Sequence, residues 1–284
     1  MLRVPNREVY PNAPLVLVAV EIRHPDSGLL TEQQTQLIKG RLAEDVQLSR
    51  PFQRPPGVIP TLTGLGARHV AQTAGGVSPR LMSRDQSTSI TFHSDALVVE
   101  TTKYPGFESF LAFLHRVLKA RLEVGPLDGV ERIGLRYIDE VRAPGVVEPS
   151  SWKDWIQPSL LGPNHLAREV ELTNDAWQGI ASYSGPLGVS DLFDQMSLVL
   201  RYGVGDGYAI PAGGELRRHT PSPGPFFLID IDSFWGPATG TVPSLDIDTV
   251  ATVLEGLHTP VRALFESSIT DKLRDEVLRR DGSQ

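Results

Sequence analysis

The sequence contains no cysteine, and it has only 5 lysines beside 22 arginines. The missing thiols exclude disulfides, thiolate zinc sites, iron–sulfur clusters and cysteine nucleophiles, and they fit a reducing compartment. No apolar run reaches the roughly 18 residues of a membrane-spanning helix, and the N-terminal segment lacks the apolar core of a signal peptide. We therefore expect a cytoplasmic protein without a membrane partner. The arginine bias indicates a GC-rich, bacterial genome.

The sequence also lacks recognisable catalytic signatures. The seven histidines show no metal-ligand spacing such as H-x-x-x-H, and no G-x-S-x-G, Walker A or kinase motif is present. The formal net charge of −7 disfavours general nucleic-acid binding, which requires cationic side chains to neutralise phosphates. The sequence therefore predicts no cofactor and leaves open whether the protein is an enzyme.

The apolar periodicity of the first half predicts regular structure in five places. The predicted elements are a strand over 15–23, a helix over 32–45 that begins with a capping box of Thr31 and Gln34, a hairpin of strands 86–93 and 96–102, a helix over 107–123 and a strand over 131–141. Residues 48–80 are rich in proline and glycine. A loop of this length is typical either of a partner-binding arm or of a plain surface excursion.

The second half begins after Ala143-Pro144-Gly145, where the first pattern breaks. The predicted elements are a short helix that Trp152 and Trp155 anchor, strands near 168–173, 177–184, 195–203 and 225–233, a helix over about 247–266 and a polar helical tail over 271–284 that frays. The sum is an α+β fold, a mainly antiparallel sheet with helices packed on one face.

The domain organisation has two readings. A shift of 143 residues (258 − 115) aligns Leu114-His115 with Leu257-His258, which suggests two similar βαββαβ-like halves, 1–145 and 146–284. Any two amphipathic helices align at some register, however, so one continuous domain without a true duplication stays an alternative.

Arginines provide the candidate binding residues. Arg132 and Arg136 lie on one face of the predicted strand, roughly 13 Å apart, and suit an anion platform. Cross-strand ion pairs with acidic neighbours are the competing and favoured explanation. Arg217, Arg218 and His219 lie in a second long loop, residues 208–224, which is the most basic loop and could contact an acidic partner or RNA.

Asp230 and Asp232 lie on one face of another predicted strand. Paired carboxylates can hold Mg²⁺ against a phosphate-containing substrate. The favoured alternative is that both aspartates lie on a solvated face, because isolated aspartate pairs are common. No metal site is therefore predicted, and Asp230 and Asp232 remain the weaker alternative.

Three short patterns resemble a sporadically distributed, uncharacterised bacterial family. They are the early Asn12-Ala-Pro-Leu-Val, the strand Arg132-Ile-Gly-Leu-Arg-Tyr-Ile, and Leu257-His258 followed by Phe265 and Ile269-Thr270. The family usually has Asn where this chain has Asp139. The resemblance implies no catalytic residues, and patchy occurrence is associated with mobile genes such as defence or toxin–antitoxin cargo.

These observations favour a cytoplasmic recognition or regulatory protein that binds a macromolecular partner, either another protein or a second copy of the chain. The missing catalytic constellation and the two long loops support this expectation. The alternative is a metal-dependent enzyme that acts on a phosphate-containing substrate with Asp230, Asp232 and an arginine. A third reading is a scaffold that binds a small molecule between the halves.

Overall fold

The computed structural model describes residues 8–53, 77–147, 149–162, 176–210, 216–218, 220–237 and 241–280. The strands are β1 (Leu15–Arg23), β2 (Leu48–Ser49), β3 (Phe52–Gln53), β4 (Val77–Ser78), β5 (Arg80–Met82), β6 (Thr88–Phe92), β7 (Ala96–Thr101), β8 (Arg132–Val141), β9 (Trp177–Ser190), β10 (Phe193–Gly205) and β11 (Phe226–Trp235). The helices are α1 (Glu32–Arg41), α2 (Phe107–Glu123), α3 (Ile247–Ser268) and α4 (Asp271–Leu273), with 3-10 turns at Pro149–Asp154 and Pro158–Leu160.

One antiparallel sheet organises the molecule. Its nine strands follow the order β2-β5-β6-β7-β1-β8-β11-β10-β9, and β3 and β4 form a separate two-stranded ribbon. In the centre, β8 pairs with β11, so that Ile133 lies opposite Trp235 and Val141 opposite Phe227. Strands from both halves of the chain therefore belong to one sheet. The predicted α+β class with a mainly antiparallel sheet is confirmed.

The helices cover one face of the sheet and bury the core. α2 contributes Phe110, Leu114, Val117 and Leu118, and α3 contributes Val250, Val253, Leu254 and Leu257. These side chains pack against inward-facing strand residues such as Val18, Leu135 and Ile231, each 0% exposed. The opposite side of the sheet, which we call the open face, carries the alternating polar residues. None of the helices in the described ranges is long and apolar enough to cross a lipid bilayer.

Most predicted elements lie where the periodicity placed them, with one helix shorter than expected. Thr31 forms the predicted capping box with Gln34, but α1 ends at Arg41 and not at residue 45. The side chain of Gln47 donates to the carbonyl oxygens of Ala43 and Glu44, which satisfies these groups outside a helix. Residues 168–173, where a strand was predicted, lie outside the described residues.

The described part of the C-terminal tail, residues 271–280, is packed, which contradicts the prediction that the tail frays over this range. Leu273 and Leu278 are buried, and a π-helical turn over Arg274–Leu278 follows α4. This turn holds residues 8–14, which we call the N-terminal strap. Asn12 donates its backbone N–H to Leu278 and its side-chain Nδ2 to Val277. The two ends of the described chain thus stabilise each other beside α3.

Candidate functional site

Arg132, the first of the predicted binding arginines, forms ion pairs across the open face. Its guanidinium donates to Glu21 on β1 at 3.2 Å and to Asp232 on β11 at 3.3 Å. It also stacks over Phe234, with its central carbon 4.6 Å from the ring centroid. The carboxylates of neighbouring strands therefore neutralise Arg132, which is the cross-strand arrangement that the sequence analysis favoured.

Arg136 is held in the same way but remains more accessible. It makes two parallel bonds to Asp230, Nε to Oδ1 at 2.8 Å and Nη2 to Oδ2 at 2.7 Å. The hydrogen bonds to this carboxylate raise the pKa of Arg136. Arg201 approaches the same carboxylate at 3.6 Å. The side chain of Arg136 is 45% exposed, whereas that of Asp230 is 5% exposed.

These ion pairs argue against the weaker alternative of a metal site at Asp230 and Asp232. Three arginines engage the oxygen atoms of Asp230 and Asp232, so a cation would have to displace a guanidinium to bind there. In the portion of the chain that is described, no group of three or more histidine, aspartate or glutamate side chains is arranged to hold a metal ion.

Arg218 has a structural position, because it closes a buried cluster around Glu140. The carboxylate of Glu140 accepts from Arg142 at 2.8 Å, from Arg218 at 3.3 Å and from the backbone N–H of Ala209 at 2.7 Å. Its side chain is 1% exposed. Arg142 also donates to the carbonyl oxygens of Gly207 and Gly224. This Glu140 cluster fixes the described parts of the connection between β10 and β11 to the end of β8.

Arg217, the residue before Arg218, is exposed and is placed by its backbone. Its N–H donates to the carbonyl of Gln86 at 2.9 Å, and Thr102 donates its hydroxyl to the carbonyl of Arg217 at 2.6 Å. Gln86 has φ = 61° in a turn where Asp85 accepts from the backbone N–H of Ser87. This tight turn presents the carbonyl that locates Arg217. His219, the third member of the predicted basic loop, lies outside the described residues.

Arg217 lines a cavity of about 900 Å³ at the edge of the sheet formed by β2 and β5. Three further cations line it, which are Lys39 from α1, Arg50 after β2 and Arg80 from β5. We call this the basic cavity. Its other described lining residues are uncharged. The side chains of Arg50 and Arg217 have no ion-pair partner within the described ranges, and the amine of Lys39 donates to the hydroxyl of Ser49 at 3.0 Å.

A second cavity, of about 360 Å³, lies on the helix face of the same sheet. The N-terminal strap, the start of α2, the end of β8 and α3 surround it. We call it the Asp139 cavity after its most unusual residue. The Asp139 carboxyl lines it and is 6% exposed, and no donor among the described residues reaches this carboxyl. Burial, together with the charge of Asp230, raises the pKa of Asp139 to about 8.

Three other polar groups of the Asp139 cavity, Tyr104, Tyr137 and His258, are also uncharged at neutral pH. Tyr104 and Tyr137 share a hydrogen bond of 2.7 Å between their hydroxyls, and burial raises the pKa of Tyr104 to about 12. His258 stacks face to face on Phe107, with ring centroids 3.9 Å apart. Burial, assisted by the charge of Arg262, lowers the pKa of His258 to about 4. His115, its counterpart in the proposed repeat, is exposed on α2.

Sequence reasoning found part of these two sites. It named Arg217, but Lys39, Arg50 and Arg80 come from separate segments without any shared spacing. Asp139 was noted only as a departure from the resembled family. A signal was available, because Asp139 interrupts the inward-facing series of β8, in which Ile133, Leu135, Tyr137 and Val141 are buried.

Comparison with models of known protein families, with curated proteins and with solved structures found no match. The family resemblance of the three short patterns stays a prediction.

Proposed function

We propose that this protein is a cytoplasmic recognition or regulatory protein that binds an acidic segment of a protein partner in the basic cavity. The observation that carries the proposal is the meeting of three cations from separate segments, Lys39, Arg50 and Arg217, without an acidic residue among the described lining. Like charges held together destabilise the folded chain, and an anionic ligand relieves their repulsion.

The charge distribution supports a protein partner over a nucleic acid. The chain as a whole carries a net charge of −7, which repels a polyanion outside the immediate cluster. The described lining of the basic cavity contains no aromatic side chain on which bases could stack. A compact group of cations around one concavity suits a few carboxylates better than a long phosphate backbone.

The neighbouring sequence carries charge of the same sign. Between β3 and β4 the sequence 54–76 contains Arg54, Arg68 and His69 and no aspartate or glutamate. The ribbon that brackets this sequence packs beside the basic cavity, where the guanidinium of Arg80 lies over Phe52, 5.2 Å from the ring centroid. This stretch of sequence therefore contains no carboxylate.

The family resemblance supplies a biological setting for this proposal. If it holds, the partner belongs to a mobile defence or toxin–antitoxin system. The alternative of a metal-dependent enzyme has no specific observation in its favour, because arginines engage Asp230 and Asp232.

The test compares two double variants that change the net charge equally. Arg50→Glu with Arg217→Glu reverses two cations of the basic cavity, whereas Lys119→Glu with Lys153→Glu reverses two exposed cations elsewhere. Binding of a fluorescent glutamate-rich peptide is measured by anisotropy at several salt concentrations. We expect the cavity variant to weaken binding about tenfold or more, a loss of roughly 1.4 kcal/mol, and the control to bind like the parent.

An RNA oligonucleotide of equal charge serves as the competing ligand. If it binds more tightly than the peptide, or if both double variants weaken the peptide equally, the proposal is wrong. Affinity capture from the native host, with parent and cavity variant in parallel, then identifies the partner as the protein that only the parent retains.

A further inference from the structure

The Asp139 cavity contains a buried acid that the fold itself leaves without a partner. Buried ionisable groups are normally paired or hydrogen-bonded, because their desolvation is otherwise uncompensated. The carboxyl of Asp139 is 6% exposed and accepts no hydrogen bond from any residue that the structure describes. A group of this kind at the wall of a cavity marks a binding site for a ligand that supplies the missing partner.

The backbone beside Asp139 is irregular in a way that suits a binding site. Leu15 of β1 lies opposite Asp139 and Leu17 lies opposite Ile138, so that β1 contains one extra residue, Val16, at this point. Such bulges interrupt the ladder of backbone hydrogen bonds and recur beside functional sites. The bulge lies where the N-terminal strap enters the sheet.

The other two acids that line this cavity have partners. Glu8 of the N-terminal strap pairs with Arg279 at 2.7 Å. Glu266 of α3 pairs with Arg274 at 2.9 Å and accepts from the hydroxyl of Tyr10 at 3.0 Å. Among the described residues that line the cavity, Asp139 is thus the one carboxyl that depends on a ligand for a counter-charge.

Several aromatic side chains line the cavity beside aliphatic residues and prolines. Tyr104 and Phe107 border the cavity from the start of α2, Tyr137 from β8 and Phe265 from α3. The faces of aromatic rings carry partial negative charge and attract organic cations. His258, stacked on Phe107, adds a neutral ring nitrogen that can accept a hydrogen bond from a ligand.

Arg262 is the one cation among the described residues that line this cavity, and its guanidinium is already engaged. Its Nη2 donates to the backbone carbonyl of Glu8 at 2.8 Å, which ties α3 to the N-terminal strap. Its charge adds to the effect of burial in lowering the pKa of His258 and opposes the effect of burial on the pKa of Tyr104, whereas burial and Asp230 are what perturb the pKa of Asp139. An anionic ligand would therefore meet a buried acid and find only one occupied guanidinium.

We infer that the Asp139 cavity binds a small organic ammonium ion, with the carboxylate of Asp139 as its counter-charge and Tyr104, Phe107 and Tyr137 around its apolar body. The volume of about 360 Å³ admits one small molecule. The basic cavity takes no part in this binding, so this site stands or falls independently of the proposed function.

The ligand series for the test keeps one ring and varies only the charge. Benzylamine, benzyl alcohol and benzoate are titrated into the full-length protein in a calorimeter, in parallel with an Asp139→Asn variant. Asp194→Asn serves as the matched control, because Asp194 is exposed on β10. We expect benzylamine alone to bind, about tenfold or more weakly to Asp139→Asn and unchanged to Asp194→Asn.

The pH dependence of benzylamine binding distinguishes an ion pair with Asp139 from burial of the aromatic ring alone. Binding of the ammonium ion requires ionised Asp139, so benzylamine should bind about tenfold more weakly for each pH unit below about 8 and release a proton on binding. Benzylamine that binds equally to Asp139→Asn, stronger binding of benzyl alcohol or benzoate, or no binding of any of the three at millimolar concentrations would each overturn the assignment.

Discussion

Asp139 and Glu140 are neighbours on β8 and are nearly equally buried, but they point to opposite faces of the sheet and differ in their hydrogen-bond partners. Glu140 points to the open face, where two arginines and one backbone N–H donate to its carboxylate. Asp139 points to the helix face and has no donor among the described residues. The difference shows that burial alone does not define the role of an acid. A buried carboxylate with a complete set of partners holds the fold, and one without partners marks a place for a ligand.

The largest effect that this comparison predicts is the loss of the Glu140 charge. Glu140→Gln leaves Arg142 and Arg218 buried beside a neutral amide, and we expect a loss of about 3–5 kcal/mol in the free energy of unfolding. Urea denaturation at neutral pH measures it. Glu276→Gln, at an exposed position, is the control and should change stability by less than about 0.5 kcal/mol. A loss as small for Glu140→Gln would show that the cluster is not structural.

Asp139→Asn should increase the free energy of unfolding at neutral pH, whereas Glu140→Gln should decrease it. The folded protein holds the Asp139 proton up to a pKa of about 8, whereas the unfolded chain releases it near 3.8. The contribution of Asp139 to the free energy of unfolding is therefore fully present below about pH 4 and is lost as the pH rises towards 8. At pH 7 the loss in the free energy of unfolding reaches about 4 kcal/mol. The Asp139→Asn variant can restore at most this amount.

Urea denaturation of the parent and of Asp139→Asn near pH 4 and pH 8 tests this sign. The two proteins should unfold alike at the lower pH, and the variant should be the more stable at the higher pH. Asp194→Asn, the exposed control, should follow the parent at both pH values. A variant that is less stable than the parent at pH 8 would mean that a partner stabilises the charged form of Asp139.

The smallest effect concerns an ion pair that is neither buried nor part of a cluster. Arg116 on α2 pairs with Asp45 at 2.9 Å, and its side chain is 51% exposed. We expect Arg116→Gln to reduce stability by less than about 1 kcal/mol, and added salt should diminish the difference further. Thermal unfolding at two salt concentrations measures both quantities. A loss comparable to that of Glu140→Gln would undermine the distinction between buried and exposed charge.

Local patterns predicted the elements well where one side of an element is apolar. The stripe from Phe107 to Leu122 and the alternation in 131–141 place α2 and β8 within a residue, because a helix and a strand must each turn their apolar side to the core. The C-terminal turn was predicted to fray, since its sequence is mostly polar. Leu273 and Leu278 are nevertheless buried, because the core and the N-terminal strap receive them.

The sequence by itself determined the α+β class, the amphipathic helices, the central strand and the absence of any thiol chemistry, because these depend on composition and on short-range periodicity. Only the tertiary structure decided which charges meet. The pairing of β8 with β1 and β11 gave Arg132 and Arg136 their carboxylates, and the turn at Gln86 placed Arg217 beside cations from three other segments. The same fold left Asp139 without a partner among the described residues. Charges pair according to their distance in space, and a local sequence pattern does not contain the distances between residues that lie far apart along the chain.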